Sequence, residues 1–420
     1  MQKKVITIVG TTAVGKSDLA IALAKKFDGE IINADSLQVY KGAPILTNKV
    51  VVNDPKHHLM NFIEWDKNYS VRDFIQDADS IIADICKRGK MPIIVGGTNY
   101  YIELLLWGND FRELSFEDES KQFNDWKTDT LIEKVKEFNI DYAIKHQNNR
   151  RKLVYALNMN AAGHTLKTNF SDRWTTKCRY DSIFVWCAAS NKVLDKRIDD
   201  RVDQMVGKGL LSELDELDSY WKQRHSVFYN DIRNNEVEGI FQSIGFKEFY
   251  PYIRSKDDAS LKVALDLMKL RTRQYARSQI KWIRARIVPR LFSPIHDSPS
   301  HLFVVDCSVI KKWEETVIPS AINGIEKFLN GIKIDRKESL SLQFSEYQQL
   351  DLDPIYLDEI FKTHIRNVYP DPIVFLDPNE RFDCAICKRV VFGSRSWSAH
   401  LNSRKHKKLE REPFMILQDK

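Results

Sequence analysis

A phosphate-binding loop near the N-terminus restricts what this chain can fold into more than any other feature. The segment Gly10–Ser17 reads GTTAVGKS, and it directly follows the apolar run Val5–Val9. It therefore fits G-x-x-x-x-G-K-[ST] in the strand-to-helix setting that this pattern requires. Apolar residues then recur at helical spacing at Leu19, Leu23 and Phe27. The loop is thus predicted to open onto a helix N-terminus, whose free amides and dipole favour an anion.

The motif predicts a site for two linked phosphates. Lys16 is expected to reach the outer phosphate, and Ser17 is expected to ligate Mg²⁺. The predicted diphosphate-binding residues are Gly10, Thr11, Thr12, Ala13, Val14, Gly15, Lys16 and Ser17. A chance match in a glycine-containing turn is the alternative interpretation.

The strongest later strand does not end as it does in an ATP-hydrolysing protein. Such proteins usually carry an acid there that helps to hold Mg²⁺, whereas Ile93–Val95 runs into Gly96, Gly97 and Thr98. The two glycines allow a backbone to approach a ligand closely, and a threonine hydroxyl can bond to phosphate or sugar. A plain glycine turn is the alternative.

An acidic residue does occur earlier, after the short predicted strand Glu30–Ala34. The residues that follow are Asp35, Ser36, Leu37 and Gln38. In an open α/β sheet, ligands bind at the carboxyl ends of the strands, so this segment should lie near the phosphate site. Asp35 can accept a proton, and the amide of Gln38 can both donate to and accept from a base edge. A helix cap at Asp35 or Ser36 is the alternative.

A second motif near the C-terminus has the ligands and spacing of a structural zinc site. Cys384, Cys387, His400 and His406 follow C-x₂-C-x₁₂-H-x₅-H, which suits one tetrahedral Zn²⁺ with no open position. Phe392 and Trp397 are predicted to form its small core. Basic residues crowd the motif at Arg395, Arg404, Lys405, Lys407 and Lys408. We expect this finger to clamp RNA phosphates, with a DNA-reading finger as the alternative.

Seven segments in a fixed order carry a family resemblance. They read GTTAVGKS, NADSLQVYK, PIIVGGTNYY, HQNNRRKLVYAL, LDKRIDDRVDQM with GLLSEL, QSIGFKEF and RTRQYARSQIKW. This order resembles the tRNA dimethylallyltransferase (tRNA isopentenyltransferase) family over about residues 3 to 290. The finger and the compact N-terminus are most similar to the eukaryotic, fungal-type members. The resemblance implies an α/β fold, with a P-loop NTPase-like parallel sheet core, a helical insertion and a C-terminal C2H2-type zinc finger.

The resemblance also implies a reaction and its partners. A dimethylallyl (isopentenyl) group would pass from dimethylallyl diphosphate to N6 of the adenosine at tRNA position 37, just 3′ of the anticodon, giving N6-isopentenyladenosine and pyrophosphate. Mg²⁺ at the phosphate loop would stabilise charge on the departing oxygens. The N6 amine is a weak nucleophile because its lone pair is delocalised, so a positioned carboxylate would help as a general base.

The resemblance assigns roles residue by residue. Asp35 is the general base, Thr12 and Thr98 lie near the reacting centre, and Arg273 is a cation on the leaving group. Contacts to the tRNA anticodon stem-loop are assigned to Asp35, Ser36, Leu37, Gln38, Arg151, Lys152, Arg201, Gln242, Gly245, Lys281 and Trp282.

The chain departs from the family pattern at several positions. Members of the family commonly carry His-Pro-Asn-Asp, paired arginines and Arg-Ala-Leu-Glu, where this chain has residues that include Gln147, Asn149, Tyr155 and Asn158. They also carry Lys-Arg-Gln where this chain has Arg277, Ser278 and Gln279. These positions resemble substrate contacts more than proton-transfer groups, so they bear on tRNA recognition more than on the chemistry.

The positive charge of this chain is local. The whole sequence has 64 basic and 58 acidic residues, a net charge of +6, which does not by itself indicate nucleic-acid binding. From Arg271 to Arg290, however, there are seven Lys or Arg and no acid, with Tyr275 and Trp282 interleaved. This pattern favours RNA phosphate contacts and stacking on an unpaired base, as a flipped target base requires. A solvated basic helix with inward-packed aromatics is the alternative.

The length and the apolar runs predict several units. Residues 1–114 and 180–290 are predicted to form the α/β catalytic core, around a helical, tRNA-contacting insertion at 115–179. Residues 291–375 are predicted to be a trailing strand and helix and a linker. The finger and its basic tail would occupy 376–420.

Cysteine usage and hydropathy indicate the compartment. The four cysteines outside the finger, which show no paired spacing, are Cys86, Cys178, Cys187 and Cys307. Free thiols and a thiolate zinc site favour a reducing compartment, and no apolar run approaches the length of a membrane span. The start, Met-Gln-Lys-Lys, leaves no room for a cleavable presequence. We expect a cytoplasmic monomer, with the nucleus as an alternative and a mitochondrial form only with a longer start.

Three function classes remain open on this reasoning: the prenyl transferase, a P-loop kinase or ATPase, and a non-catalytic RNA-binding protein. The absent strand-terminal acid counts against the second class. Retention of Asp35, Lys16 and Thr98 counts against the third.

Overall fold

The computed structural model describes most of the N-terminal three quarters of the chain and parts of the C-terminal segment. The described residues are 3–50, 54–108, 123, 126–161, 163, 177–224, 239–291, 301–332, 381–387, 389–392, 397, 400–403 and 406–407. They divide between two compact units, one drawn from Met1–Asn109 and Lys177–Arg366 and the other from Asp110–Thr176 and Asn367–Lys420. Within the described residues, no helix is long and apolar enough to cross a membrane.

A six-stranded parallel sheet is the centre of the first unit. Its strands are β1 (Lys4–Gly10), β2 (Gly29–Asn33), β3 (His57–His58), β4 (Met91–Val95), β5 (Asp181–Ala188) and β6 (His301–Asp306). They lie in the order β3-β2-β4-β1-β5-β6, and every neighbouring pair is parallel. The predicted P-loop-type parallel core is confirmed. Because β1 lies between β4 and β5, the loop that follows it emerges at the middle of the sheet.

Helices cover both faces of this sheet. They are α1 (Lys16–Lys26), α2 (Val71–Lys87), α3 (Asn99–Trp107), α7 (Asn191–Gly207), α8 (Leu210–Arg224), α9 (Phe246–Ser255), α10 (Asp258–Trp282), α11 (Val288–Leu291) and α12 (Ile318–Leu329). A π-helical turn, Ile283–Ile287, joins α10 to α11. Successive strand residues face opposite layers: Val5 and Val9 pack in one core, and Ile6 and Ile8 pack in the other. Burial on both faces explains why the strands are almost continuously apolar.

The helix ends follow from local sequence. α2 begins after Ser70, whose hydroxyl accepts from the backbone amide of Asp73, while the Asp73 carboxylate accepts from the backbone amide of Ser70. This capping box satisfies amides that the first turn leaves free. Inward-facing residues of α2, including Phe74 and Ile82, are fully buried. α2 thereby helps to fix β4 and the loop that follows it.

The described residues of the second unit include three helices and a hairpin. Its helices are α4 (Thr128–Lys136), α5 (Ile140–His146) and α6 (Arg150–Ala161), and its strands are β7 (Arg381–Cys384) and β8 (Arg389–Phe392). Leu131, Val135, Ala143 and Leu153 are fully buried in a small core between the helices. The insertion is therefore helical, as the sequence indicated. The domain boundaries given above stay predictions, and most of the predicted linker lies outside the described residues.

Candidate active site and zinc centre

The phosphate loop connects the end of β1 to the start of α1, as the motif predicts. Gly15 has φ +97°, a left-handed conformation that favours glycine. A Cβ on this residue would also lie 2.4 Å from Cη2 of Trp313. Lys16 is the first residue of α1, and half-buried Ser17 is the second. The loop therefore leads directly to a helix N-terminus that can hold an anion.

Lys16 is buried inside this loop. Its Nζ donates to the backbone oxygen of Thr11 at 2.5 Å. Burial lowers its pKa to about 8, and the nearby groups of Cys187 and Asp35 oppose this shift. The hydroxyl oxygen of Thr11 is buried and has no hydrogen-bond partner among the described residues. A cation and a free hydroxyl are therefore enclosed where a phosphate would bind.

Thr12 is bonded to two other parts of the chain. Its Oγ1 accepts from Nη2 of Arg201 at 2.8 Å, and its amide donates to Oε1 of Gln279 at 2.8 Å. Burial lowers the pKa of Arg201 to about 10, and Asp35 opposes this shift. Nε of Arg201 is buried without a hydrogen-bond partner in the described part of the chain. The structure thus places Arg201, assigned above to tRNA contacts, beside the phosphate loop.

The acidic segment after β2 is held by the loop after β4. Oδ1 of Asp35 accepts from the amide of Leu37 at 3.0 Å. Residues 36–39 form a turn and not a helix, so Asp35 and Ser36 are not the helix caps considered as the alternative. Thr98 accepts from the amide of Ser36 at 3.0 Å and donates to its hydroxyl at 3.2 Å. The side-chain nitrogen Nε2 of Gln38 donates to the backbone oxygens of Thr47 and Asn48. All four residues from 35 to 38 are half-buried, so they remain accessible to a ligand.

The two glycines after β4 permit close approach of the chain. A Cβ on Gly96 would lie 2.1 Å from the backbone oxygen of Ala34, and a Cβ on Gly97 would lie 2.8 Å from Oδ2 of Asp35. The backbone oxygen of Gly97 accepts from Tyr275 Oη at 3.0 Å and from Gln279 Nε2 at 2.8 Å. The pair is therefore more than a plain turn, because it lets the carboxylate lie against the backbone.

Acids of the same chain pair with several cations on and after α10. Lys269, Arg273 and Arg277 pair in register with Asp203, Asp199 and Asp195 on α7. Farther along, Arg286 and Arg290 both bond to the buried carboxylate of Glu103. Part of the positive charge predicted from composition is therefore compensated within the chain. Arg273, the expected leaving-group cation, is held by Asp199.

The other predicted tRNA contacts have mixed surroundings. Lys152, Gln242 and Lys281 are exposed. Gly245 is buried, and its amide donates to Glu248 at the start of α9. The ring of Trp282 packs edge-on against Tyr100 and below the Arg286 guanidinium, which matches the alternative of inward-packed aromatics. The side chain of Arg151 lies outside the described residues.

Two of the departures from the family pattern have local structural roles. Asn149 accepts from the amide of Lys152 through Oδ1, which caps the first turn of α6. Asn158 is buried on the same helix. Tyr155 is 39% exposed there, so it remains available to a partner.

The predicted zinc ligands converge in space. One ligand atom from each of Cys384, Cys387, His400 and His406 lies within 4.8 Å of the others, which is the arrangement that a tetrahedral zinc ion requires. Trp397 stacks on Phe382, with ring centroids 5.2 Å apart, and Phe392 is half-buried at the end of β8. Of the basic residues around the finger, Arg395, Arg404, Lys405 and Lys408 lie outside the described residues.

Two residues contact the site although no sequence pattern above assigned them to it. Gln279 reaches the site from α10, next to Tyr275, and Trp313 reaches it from the segment after β6. For Gln279, the inward period of α10, which buries Met268, Thr272, Ala276 and Gln279, was an available signal. Nothing local in the sequence indicated Trp313, because its contact with Gly15 joins residues that are far apart in the chain.

Comparisons with known proteins give a consistent result. The profile of the IPP transferase family matches residues 38–286, and that of a C2H2-type zinc finger matches residues 382–406. The chain is 32% identical to the tRNA dimethylallyltransferase of Saccharomyces cerevisiae, over 97% of this chain and 92% of that protein. It is 30% identical to the human enzyme of the same name, over 96% of this chain and 84% of that protein.

Solved structures show the same similarity. A crystal structure of a eukaryotic dimethylallyltransferase acting on tRNA matches with a TM-score of 0.76 and 30% identity, over 97% of this chain and 96% of that one. A tRNA isopentenylpyrophosphate transferase from Staphylococcus epidermidis matches with a TM-score of 0.50 and 28% identity, over 79% of this chain and 100% of that one. The similarity thus extends through the sheet and the site described above.

Proposed function

Because this chain belongs to the tRNA dimethylallyltransferase family, we propose that it transfers a dimethylallyl group from dimethylallyl diphosphate to N6 of the adenosine at tRNA position 37. The observation that carries this proposal is the convergence of a phosphate loop, buried Lys16, half-buried Arg201 and a carboxylate. Lys16 and Arg201 both interact electrostatically with Asp35. A diphosphate and a reacting amine need these groups within one site.

The proposed reaction uses these groups in distinct roles. The bond between the allylic carbon and the diphosphate oxygen breaks, and its electron pair leaves with pyrophosphate, where Lys16, Arg201 and the loop amides stabilise the charge. The N6 nitrogen forms the new bond to the same carbon. Its proton passes to the carboxylate of Asp35, which acts as the general base. Thr12 and Thr98 hold the groups on either side of the reacting atoms.

Arg273 is proposed to join the leaving group as well. In this structure its guanidinium is paired with Asp199 and is 26% exposed. The diphosphate carries more negative charge than one carboxylate, so it would compete effectively for this cation.

The site also suits Mg²⁺. The hydroxyl of Ser17 is half-buried at the second position of α1, and hydroxyl and diphosphate oxygens are the hard ligands that Mg²⁺ prefers. When bound, Mg²⁺ would supply positive charge to the departing diphosphate. Zn²⁺ is proposed for the finger, where four converging ligands would complete a structural site.

The remaining proposals concern where and with what the protein acts. The finger and the insertion are proposed to bind the tRNA anticodon stem-loop. None of the six cysteines forms a disulfide, and two of them, Cys384 and Cys387, are proposed zinc ligands, which supports a reducing compartment such as the cytoplasm. A monomer is expected, and light scattering of the purified protein would measure its mass.

A direct assay tests the function. The purified chain is incubated with Mg²⁺, dimethylallyl diphosphate and tRNA that carries adenosine at position 37, and the digested RNA is analysed by mass for N6-isopentenyladenosine. A parallel reaction contains ATP in place of the prenyl donor. Product with the prenyl donor alone supports the proposal. ATP hydrolysis without product would favour a P-loop ATPase, and tight tRNA binding without either activity would favour an RNA-binding protein.

A further inference from the structure

One side chain connects the two loops that form the site. Gln279 lies on the inward face of α10 and is 3% exposed. Its Oε1 accepts from the amide of Thr12 at 2.8 Å, and its Nε2 donates to the backbone oxygen of Gly97 at 2.8 Å. The first contact is on the loop after β1, and the second is on the loop after β4. A single carboxamide therefore spans the carboxyl ends of two neighbouring strands.

The chemistry of this bridge is specific to a carboxamide. Thr12 offers a donor and Gly97 offers an acceptor, and the side-chain amides of Gln and Asn carry an acceptor oxygen and a donor nitrogen on the same carbon. Asn is one methylene shorter, so it can reach one loop but not both from the same helix position. The length and the functional group of Gln279 are both matched to the gap.

The bridged loops hold the groups on which the reaction depends. Thr12 bonds to Arg201 through its side chain, and Thr98, the residue after Gly97, bonds to Ser36. Oδ2 of Asp35 lies 2.8 Å from the position of a Cβ on Gly97. A change in the separation of the two loops would therefore move the general base relative to the diphosphate site.

The bridge is itself supported from both sides. The backbone oxygen of Gln279 accepts from Nδ2 of buried Asn99 at 3.4 Å, which connects this turn of α10 to α3. The hydroxyl of Tyr275 donates a second hydrogen bond to the backbone oxygen of Gly97. The carboxamide is therefore a fixed element and not a mobile surface group.

We propose that Gln279 is a positioning residue that sets the distance between the phosphate loop and the loop carrying Gly97, and so the alignment of Asp35 with the bound diphosphate. This inference rests on the proposed transferase function. It extends the site to a residue that touches neither the reacting atoms nor Mg²⁺.

The test compares three variants of the full-length protein. Gln279→Met keeps the volume and removes both hydrogen bonds, and Gln279→Asn keeps the carboxamide but shortens it. Gln274→Met is the matched control, because Gln274 is an exposed glutamine on the same helix and its carboxamide accepts from Arg271 within its own turn. For each protein, kcat, KM for dimethylallyl diphosphate, tRNA affinity and melting temperature are measured.

We expect kcat to fall by about 10²-fold in both Gln279 variants, the size of effect produced by small misplacements of reacting groups. Affinity for tRNA should stay close to the wild type, and the melting temperature should fall by only about a few degrees, because the amide of Thr12 loses its partner. Gln274→Met should match the wild type throughout. A kcat within threefold of the wild type in a folded Gln279 variant would overturn the inference, as would a loss that follows melting temperature alone. If Gln279→Met fails to fold, the kcat of Gln279→Asn decides whether the inference holds. Wild-type protein without product would instead refute the proposed function.

Discussion

At the residue scale, the site keeps two cations in an environment that weakens their charge. Burial lowers the pKa of Lys16 to about 8 and that of Arg201 to about 10. Asp35 opposes both shifts, but one carboxylate near two cations leaves an excess of positive charge. A diphosphate would supply the missing negative charge, because it favours the protonated form of each group.

The pKa of Lys16 gives a pH dependence for ligand binding. Below pH about 8 its ammonium is protonated and attracts the diphosphate, and above this value the free site loses that charge. We therefore expect the Kd of inorganic pyrophosphate to rise between pH 7 and pH 9, measured by titration calorimetry with Mg²⁺ present. In Lys16→Met the affinity should be lower at pH 7 and nearly independent of pH over this range. An equal pH dependence in the variant would show that another group is responsible.

Asp35 should affect turnover far more than binding. Asp35→Asn keeps the shape of the side chain and removes its capacity to accept a proton. We expect kcat to fall by about 10²- to 10⁴-fold, while tRNA affinity stays within a few-fold, measured by single-turnover kinetics and by filter binding. If tRNA binding is lost but turnover at saturation is unchanged, Asp35 is a binding residue and not the general base.

At the element scale, an ion pair between buried Glu30 and exposed Arg88 helps to connect three elements at the edge of the sheet. Glu30 on β2 accepts from Arg88, which follows α2, at 2.8 Å, and it contacts His58 on β3 at 2.7 Å. Hydrogen bonds from Arg88, and to a lesser degree from His58, lower the pKa of Glu30 to about 2. This cluster anchors the short strand β3, which has only two residues.

The same cluster predicts a pH dependence of stability. The pKa of Glu30 is lowered from 4.5 to about 2 by folding, so its pairing stabilises the fold fully above pH about 4.5 and loses this contribution as the pH falls towards about 2. Glu30→Gln should reduce the free energy of unfolding by about 1–3 kcal/mol at pH 6. The difference between variant and wild type should shrink towards pH 3, as measured by urea unfolding. A difference that is constant with pH would contradict this account.

Helix α10 shows how elements share their charges. The sequence of this helix predicts a basic surface for RNA. In the structure, however, Asp195, Asp199 and Asp203, one turn apart on α7, face three of its cations. Both helices present charges at i, i+4 and i+8, so their facing sides match. The arrangement favours an ordered contact between α7 and α10 over an open basic groove.

At the scale of the whole molecule, we expect the folding of the finger to depend on a metal ion. Its described residues include a short hairpin and a four-ligand cluster, and small metal-binding domains of this kind gain their folding free energy from the ion. Substitution of one ligand, as in Cys387→Ser, should therefore unfold the finger and leave the parallel sheet intact. The main thermal transition should be unchanged, and bound zinc should fall from one ion per chain to none by atomic absorption.

The same variant tests what the finger contributes to function. If the finger clamps RNA phosphates, Cys387→Ser should weaken tRNA binding by about tenfold and reduce its salt dependence, while kcat at saturating tRNA stays within a few-fold. An exposed pair outside the finger, Lys196 with Asp200, offers a control, because Lys196→Ala should change neither zinc content nor the main transition. Unchanged tRNA binding without zinc would rule out the clamp.

The sequence alone determined those features that depend on local spacing. The phosphate loop, the apolar strands, the glycine pair after β4 and the four zinc ligands are each encoded within a few consecutive residues or at fixed intervals, and the structure confirms the elements that they predict. Asp35 could be found in the same way, because it follows the carboxyl end of a strand, and ligands of open α/β sheets bind at these ends.

Only the tertiary structure decided how distant residues share the site. Arg201 lies beside Thr12, and Gln279 spans two loops. Trp313 covers Gly15, and acids of α7 pair with cations of α10. Each contact joins side chains from elements far apart in the chain, so its energy depends on the packing of the whole unit. Local sequence patterns carry no information on such distances, because they indicate which structure a segment favours and not which distant residues it contacts.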